Sequence, residues 1–151
     1  MLKTKFAFTL ITLTSLVFVL PFAQASTPKC PLLFKKEKLC AELHWDKEPK
    51  AVEMPTEKDK AAFTIQFKST VKSASGTFEN ADPTHDVSVG IFMPEMDHGS
   101  MPVKITHSDK GVYKIEDVYF TMTGAWEINV KLVDAKTHKI FDQAKIPYTL
   151  K

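Results

Sequence analysis

Residues 93–101 read Met-Pro-Glu-Met-Asp-His-Gly-Ser-Met and hold three of the chain's six methionines. Thioether sulfur is a soft, neutral ligand and imidazole an intermediate one. Without a thiolate, the two together suit Cu(I) well and Ca²⁺ or Mg²⁺ poorly. Zinc more often recruits cysteine, or several histidines and carboxylates. The expected ligands are Met96 and His98, with Met101, Met93 and Met122 as further donors. Asp97 or Glu95 is expected to hydrogen-bond the free ring nitrogen of His98, fixing its orientation. Methionine also fills cores and adaptable contact surfaces. Met93 and Met122 each suit an inward-facing strand position, so for these two packing is the first expectation. His85 precedes a strand that ends at Met93, which places it at the far end of that strand. It is not expected at the site, and His44, His107 and His138 read as surface or locally satisfied residues.

The elements that must hold these donors are strands. Met93 closes an alternating run (Val87, Val89, Ile91, Met93) that Pro94 helps to stop, having no N–H for a ladder. Gly99 permits a tight turn and Pro102 opens the next run, Val103 and Ile105. Met96, His98 and Met101 are therefore expected on a loop held between two strands. Period-two alternation recurs in Phe63-Ile65-Phe67, in Tyr113-Ile115, in Val118-Phe120-Met122 and in Trp126-Ile128-Val130-Leu132. The parity switches across Glu116-Asp117, which implies a bulge or a bend. Residues 134–139 read as a hairpin connection into a last strand over 140–150. With a strand near Leu39–Trp45 the count is about seven, and no segment shows a helical stripe. The expected fold is all-β, an immunoglobulin-like antiparallel β-sandwich.

Residues 1–25 have the three parts of a secretory signal peptide. Lys3 and Lys5 precede an apolar run from Phe6 to Phe22, and Ala23-Gln24-Ala25 is a small-x-small exit. Cleavage before Ser26 would leave no retained membrane anchor. Residues 26–61 then form an N-terminal segment ending in a charged, proline-containing connection, and 62–151 complete the single domain. Two of the 20 lysines are lost with the leader, which balances the remaining lysines against the 18 acidic residues. A neutral chain with no arginine lacks the basic face and the forked donors of a nucleic-acid binder. No G-x-S-x-G, H-E-x-x-H or phosphate-binding glycine loop is present, so the chain does not read as an enzyme.

Cys30 and Cys40 are the only cysteines. In an oxidising compartment an isolated pair reads first as a disulfide, stabilising by about 2–3 kcal/mol through so short a loop. The competing reading is a thiolate metal site with His44 added on the same strand face, but the short C-x-x-C spacing is missing.

The segment Met93-Pro94-x-Met96-x-His98-Gly99 resembles the motif of YtkA-like domains, which are related to FixH-type proteins. A second likeness runs G-x-Y…F-x-M-x-G-x-W, here Gly111, Tyr113, Phe120, Met122, Gly124 and Trp126. Cys30…Leu39-Cys40-Ala41…Trp45 looks like a subgroup of these secreted proteins, and the likeness covers most of residues 30–150. It implies an exported, periplasmic sandwich involved in copper handling. FixH-type proteins are membrane-anchored and associated with assembly of copper-dependent oxidases. A cleavable leader departs from that pattern, so the oxidase role is not carried over. The alternative function is a non-metal module that docks on an envelope protein partner through its methionine-rich loop.

Overall fold

The structure is a computed structural model that describes residues 30–51, 56 and 58–151. The signal-peptide reading falls on residues outside that set. In chain order the strands are β1 (Leu32–Phe34), β2 (Leu39–Lys47), β3 (Ala61–Ser69), β4 (Asp86–Met93), β5 (His98–Gly99), β6 (Lys104–Asp109), β7 (Val112–Val118), β8 (Gly124–Val133) and β9 (Ile140–Leu150). A 3₁₀ turn over Pro94–Met96 joins β4 to β5. Among the described residues no helix is long and apolar enough to cross a membrane.

The strands form two sheets, ordered β1-β2-β3-β7-β6 and β5-β4-β8-β9, with every neighbouring pair antiparallel. Alternation makes them a sandwich. Phe63, Ile65 and Phe67 of β3 and Ile115 of β7 are sealed against Trp126, Ile128, Val130 and Leu132 of β8 and Ile91 and Met93 of β4. Removing that much apolar surface from water, at about 25 cal/mol per Å², is what holds the layers together. Five of the seven longer strands are those that the alternation marks, β2 and β9 fall where strands are expected near Leu39–Trp45 and over 140–150, and β1 and β5 are additions; the alternating run through Phe120 and Met122 lies past the end of β7. The parity switch before Val118 is real. Asp117 takes a left-handed φ of 59°, and the β3–β7 register slips between Ala61 and Phe63.

Turn chemistry closes the hairpins. Asp134 Oδ1 accepts the backbone N–H groups of Lys136 and Thr137 and the Thr137 hydroxyl, and His138 makes the left-handed corner. In β9, Pro147 pairs opposite Glu127 of β8. Gly111 turns β6 into β7 at a φ of 69°, and a Cβ there would lie 2.9 Å from the Ala81 nitrogen. Its N–H donates to Asp82 Oδ1 at 2.6 Å, and His107 Nε2 meets the same oxygen at 2.8 Å while stacking on Tyr113.

The β1–β2 turn is clasped to the other sheet. Glu37, with a side chain only 4% exposed, accepts the Thr84 N–H at 2.9 Å and its hydroxyl at 2.8 Å, and pairs with His85. Beside it Lys36 N–H donates to Asp142 and Lys36 Nζ to the Phe141 carbonyl. His85 stacks on Phe141 at 4.0 Å. The Cys30–Cys40 disulfide forms, with Cα atoms 5.6 Å apart. Cys40, Glu42 and His44 do share the outward face of β2, as a thiolate site would need. The sulfurs are bonded to each other instead, and the His44 side chain is 62% exposed, 3.6 Å from Glu42.

Two outcomes follow. Glu37→Ala removes the acceptor of the Thr84 N–H and hydroxyl and the partner of His85, and is expected to lower unfolding stability by about 0.5–1.5 kcal/mol. Denaturant unfolding would measure this, and the exposed Lys104→Ala should cost far less. The second concerns acid. The Gly111 N–H, then the hydrogen bond and charge of His107, hold the Asp82 carboxyl below its ordinary 3.8. The hydrogen bonds of Thr137, then the N–H of Lys136, do the same for Asp134. A depressed carboxylate stabilises fully above its unfolded pKa, and that contribution is lost as pH falls through the folded value. The thermal midpoint should therefore drop below about pH 4, and drop less steeply in Asp82→Asn.

Candidate metal centre

Three backbone devices build the methionine hairpin. Met93 ends β4 in extended geometry, Pro94 starts the 3₁₀ turn with its fixed φ, and Asp97 closes it in the left-handed region at φ 49°. The chain then re-enters the sheet as β5. Phe92 opposes Gly99 and Met93 opposes His98. Ser100 fastens the exit, donating its N–H to the Ile91 carbonyl at 2.9 Å and its hydroxyl to the Tyr119 carbonyl at 2.6 Å.

The Met93–His98 register decides what the hairpin can do. Residues opposite one another in an antiparallel pair project to the same side, with Cβ atoms about 4.5–5.5 Å apart. Met93 is buried in the core and His98 is exposed at its rim. A thioether and an imidazole therefore lie side by side at the end of the sandwich. The third element is the approach to β8. A Cβ on Gly124 would lie 3.1 Å from Met93 Cε, so Met93 packs directly on that glycine. Met122 is two residues earlier, 38% exposed, and its carbonyl accepts the buried Trp126 indole N–H at 3.1 Å. Met93 thus pairs across the ladder with His98 and packs on Gly124, two residues after Met122.

The remaining predicted donors divide. Met96 ends the 3₁₀ turn on the same hairpin and is 62% exposed. Met101 belongs elsewhere. It lines an open cleft of about 550 Å³ with Phe92, Gly99, Asn129 and Gln143, on the outer face of β4, β8 and β9. Glu95 and Asp97 are exposed, and neither hydrogen-bonds His98. The proposed orientation of the ring by a neighbouring carboxylate is therefore absent from this structure. The 3₁₀ turn and the left-handed corner spend both residues on backbone geometry. His85 is at the opposite end of β4, held by Glu37.

Among the described residues no group of three or more His, Cys, Asp or Glu side chains could hold a metal ion. The chemically distinctive side chains on the hairpin are the thioethers of Met93 and Met96 and the imidazole of His98. Two residues at this end carry no sequence motif. Ser100 ties the hairpin to Tyr119, and Thr121 Oγ1 is a buried side-chain oxygen without a partner.

An all-β sandwich with a Met-Pro-x-Met-x-His-Gly hairpin at one end is the class that this fold and site define. The chain matches the YtkA-like family over residues 52–131, more than half of its 151, and it belongs to that family. No curated protein and no solved structure matches it. The matched stretch runs from before β3 nearly to the end of β8 and takes in both the hairpin and the Met122-x-Gly124-x-Trp126 segment.

Gly124 is the position where a small change tests this packing. Its φ is 129°, and a methyl group would press on Met93. Gly124→Ala is expected to cost about 1–3 kcal/mol from backbone strain alone. Thermal unfolding checks the size, and the loss should shrink when Met93→Ala removes the crowded side chain.

Proposed function

We propose that the protein is an exported copper-binding protein that takes Cu(I) at the hairpin end of the sandwich. His98 and Met96 are the accessible donors, and Met93 and Met122 supply thioethers from behind and beside them. The observation that carries this reading is the Met93–His98 cross-strand pair backed by the Met122 segment. Neutral sulfur and imidazole donors favour a soft monovalent ion, and they let it be handed on, because they hold it less tightly than thiolates do. A carrier or copper-handling factor of the periplasm fits such a site better than a redox centre. A blue-copper site needs a cysteine thiolate beside its histidines, and both cysteines are consumed in the disulfide.

A second reading has its own observation. Met96, Met101 and Met122 are 62%, 54% and 38% exposed. Exposed methionine is an adaptable apolar contact, so the same end could dock on an envelope protein without any metal.

One experiment separates the two. The apo protein, disulfide intact, is titrated anaerobically with Cu(I) against a chromophoric Cu(I) chelator. Copper binding predicts about one Cu(I) per chain, as one soft-ligand cluster implies. The Met96→Ala/His98→Ala double variant should lose that affinity with its apo thermal midpoint unchanged, both side chains being exposed. Equal copper uptake by the variant would remove this site. An empty wild type that still captures an envelope partner in the presence of chelator would favour the docking reading.

A further inference from the structure

Cys30 and Cys40 are each partly exposed, and together they line an open cleft of about 490 Å³. Its floor is the outer face of the five-stranded sheet, away from the methionine hairpin of the other sheet. Its wall is the segment after β3, where Phe78 lies beneath Lys72 Nζ at 5.7 Å. Lys68 of β3 lines the same cleft and is the direct cross-strand partner of Cys40. Opposed side chains on one face start about 4.5–5.5 Å apart, so Lys68 and Cys40 are neighbours on the outer face of the sheet. The Lys68 ammonium group meets Glu42 at 3.2 Å, and Glu42 in turn faces His44 at 3.6 Å. Partly exposed sulfur beside a cation is the environment of exchange chemistry, whereas sulfur sealed in apolar surroundings is inert.

We propose that the Cys30–Cys40 disulfide is a thiol–disulfide exchange site for an external dithiol, with Cys30 attacked and Cys40 leaving as a thiolate beside Lys68. Attack by the dithiol's first thiolate forms a sulfur–sulfur bond to Cys30 Sγ. The Cys30–Cys40 bond breaks, and its electron pair departs on Cys40 Sγ. The dithiol's second thiolate then attacks its own first sulfur, closing the external disulfide and releasing Cys30. The dithiol is oxidised by two electrons, the protein disulfide is reduced to two thiols, and the two thiol protons pass from one to the other. The better-stabilised thiolate is the better leaving group, and Lys68 is paired across the strands with Cys40 and not with Cys30, which sets the direction of attack. Reduction need not unfold the chain. Leu32 and Phe34 of β1 stay buried in the core, and the Glu37 clasp holds the β1–β2 turn independently of the sulfurs.

The two charges beside Cys40 give opposed tests. The probes are dithiothreitol for the rate and glutathione for the site of attack, applied to the oxidised protein without denaturant. Reduction should be first order in dithiothreitol. It should slow by roughly two- to fivefold in Lys68→Met and quicken by a similar factor in Glu42→Gln, the size expected of half-exposed charges acting through solvent. With glutathione, alkylation and peptide mapping should find the adduct on Cys30 and the free thiol on Cys40. A rate independent of thiol concentration would show that reduction waits on unfolding, and the proposal would fall. It would fall equally if the adduct formed on Cys40, or if neither charge variant changed the rate while both kept the wild-type fold.

Discussion

The buried indole of Trp126 is the constraint on which the methionine end depends. A Trp sealed in a core must find an acceptor for its N–H, and here that acceptor is the Met122 carbonyl. The bond fixes the bend that leads into β8, and the bend demands the left-handed backbone that Gly124 supplies. A Cβ there would crowd the Met93 methyl at 3.1 Å, so the glycine lets β4 pack closely on the start of β8. Around the indole, Phe120 packs edge-on at 5.1 Å, and Trp45 and Tyr148 close the cluster against Phe120. A single polar requirement inside an aromatic cluster thus places the Met93 and Met122 segments against one another.

Period-two alternation made five of the seven long strands legible, because a half-buried strand must alternate. It even marked the bend at Asp117. It could not mark β1 or β5. Three and two residues are too few to show a period, and β5 consists of His98 and Gly99, neither a strand former. That omission mattered for the site. From sequence, His98 was one loop residue among several, and only the β5 register makes it the partner of Met93. Met101 looked equivalent to Met96, yet the chain turns at Ser100 and carries it to the outer face. The Glu37–Thr84–His85 clasp joins residues 47 and 48 positions apart, and no local pattern announces such a contact.

The molecule keeps its two chemically distinctive places apart. The hairpin closes one end of the four-stranded sheet. The disulfide cleft lies on the outer face of the other sheet, next to the clasp that fixes the first turn. The YtkA-like match begins at residue 52, so it contains the hairpin and leaves out the β1–β2 arm with both cysteines. The matched stretch is thus the part from β3 into β8, with the methionine hairpin inside it, and β1, β2 and β9 lie outside it. The oxidised arm is joined to that frame by β2–β3 pairing, by apolar burial of Leu32 and Phe34 and by the clasp.

The outermost strand of the four-stranded sheet, β9, carries Pro147. An imino acid has no hydrogen to offer, so a strand arriving from another molecule would meet a gap in the row of donors it needs as a template. At the opposite border of the molecule, β6 bears Lys104 and Asp109, charges that a stacked neighbour would have to desolvate. Sandwiches with bare margins tend to polymerise edge to edge. This one has its β9 margin interrupted by an absent hydrogen and its β6 margin by charge, which opposes the addition of a foreign strand at those two edges.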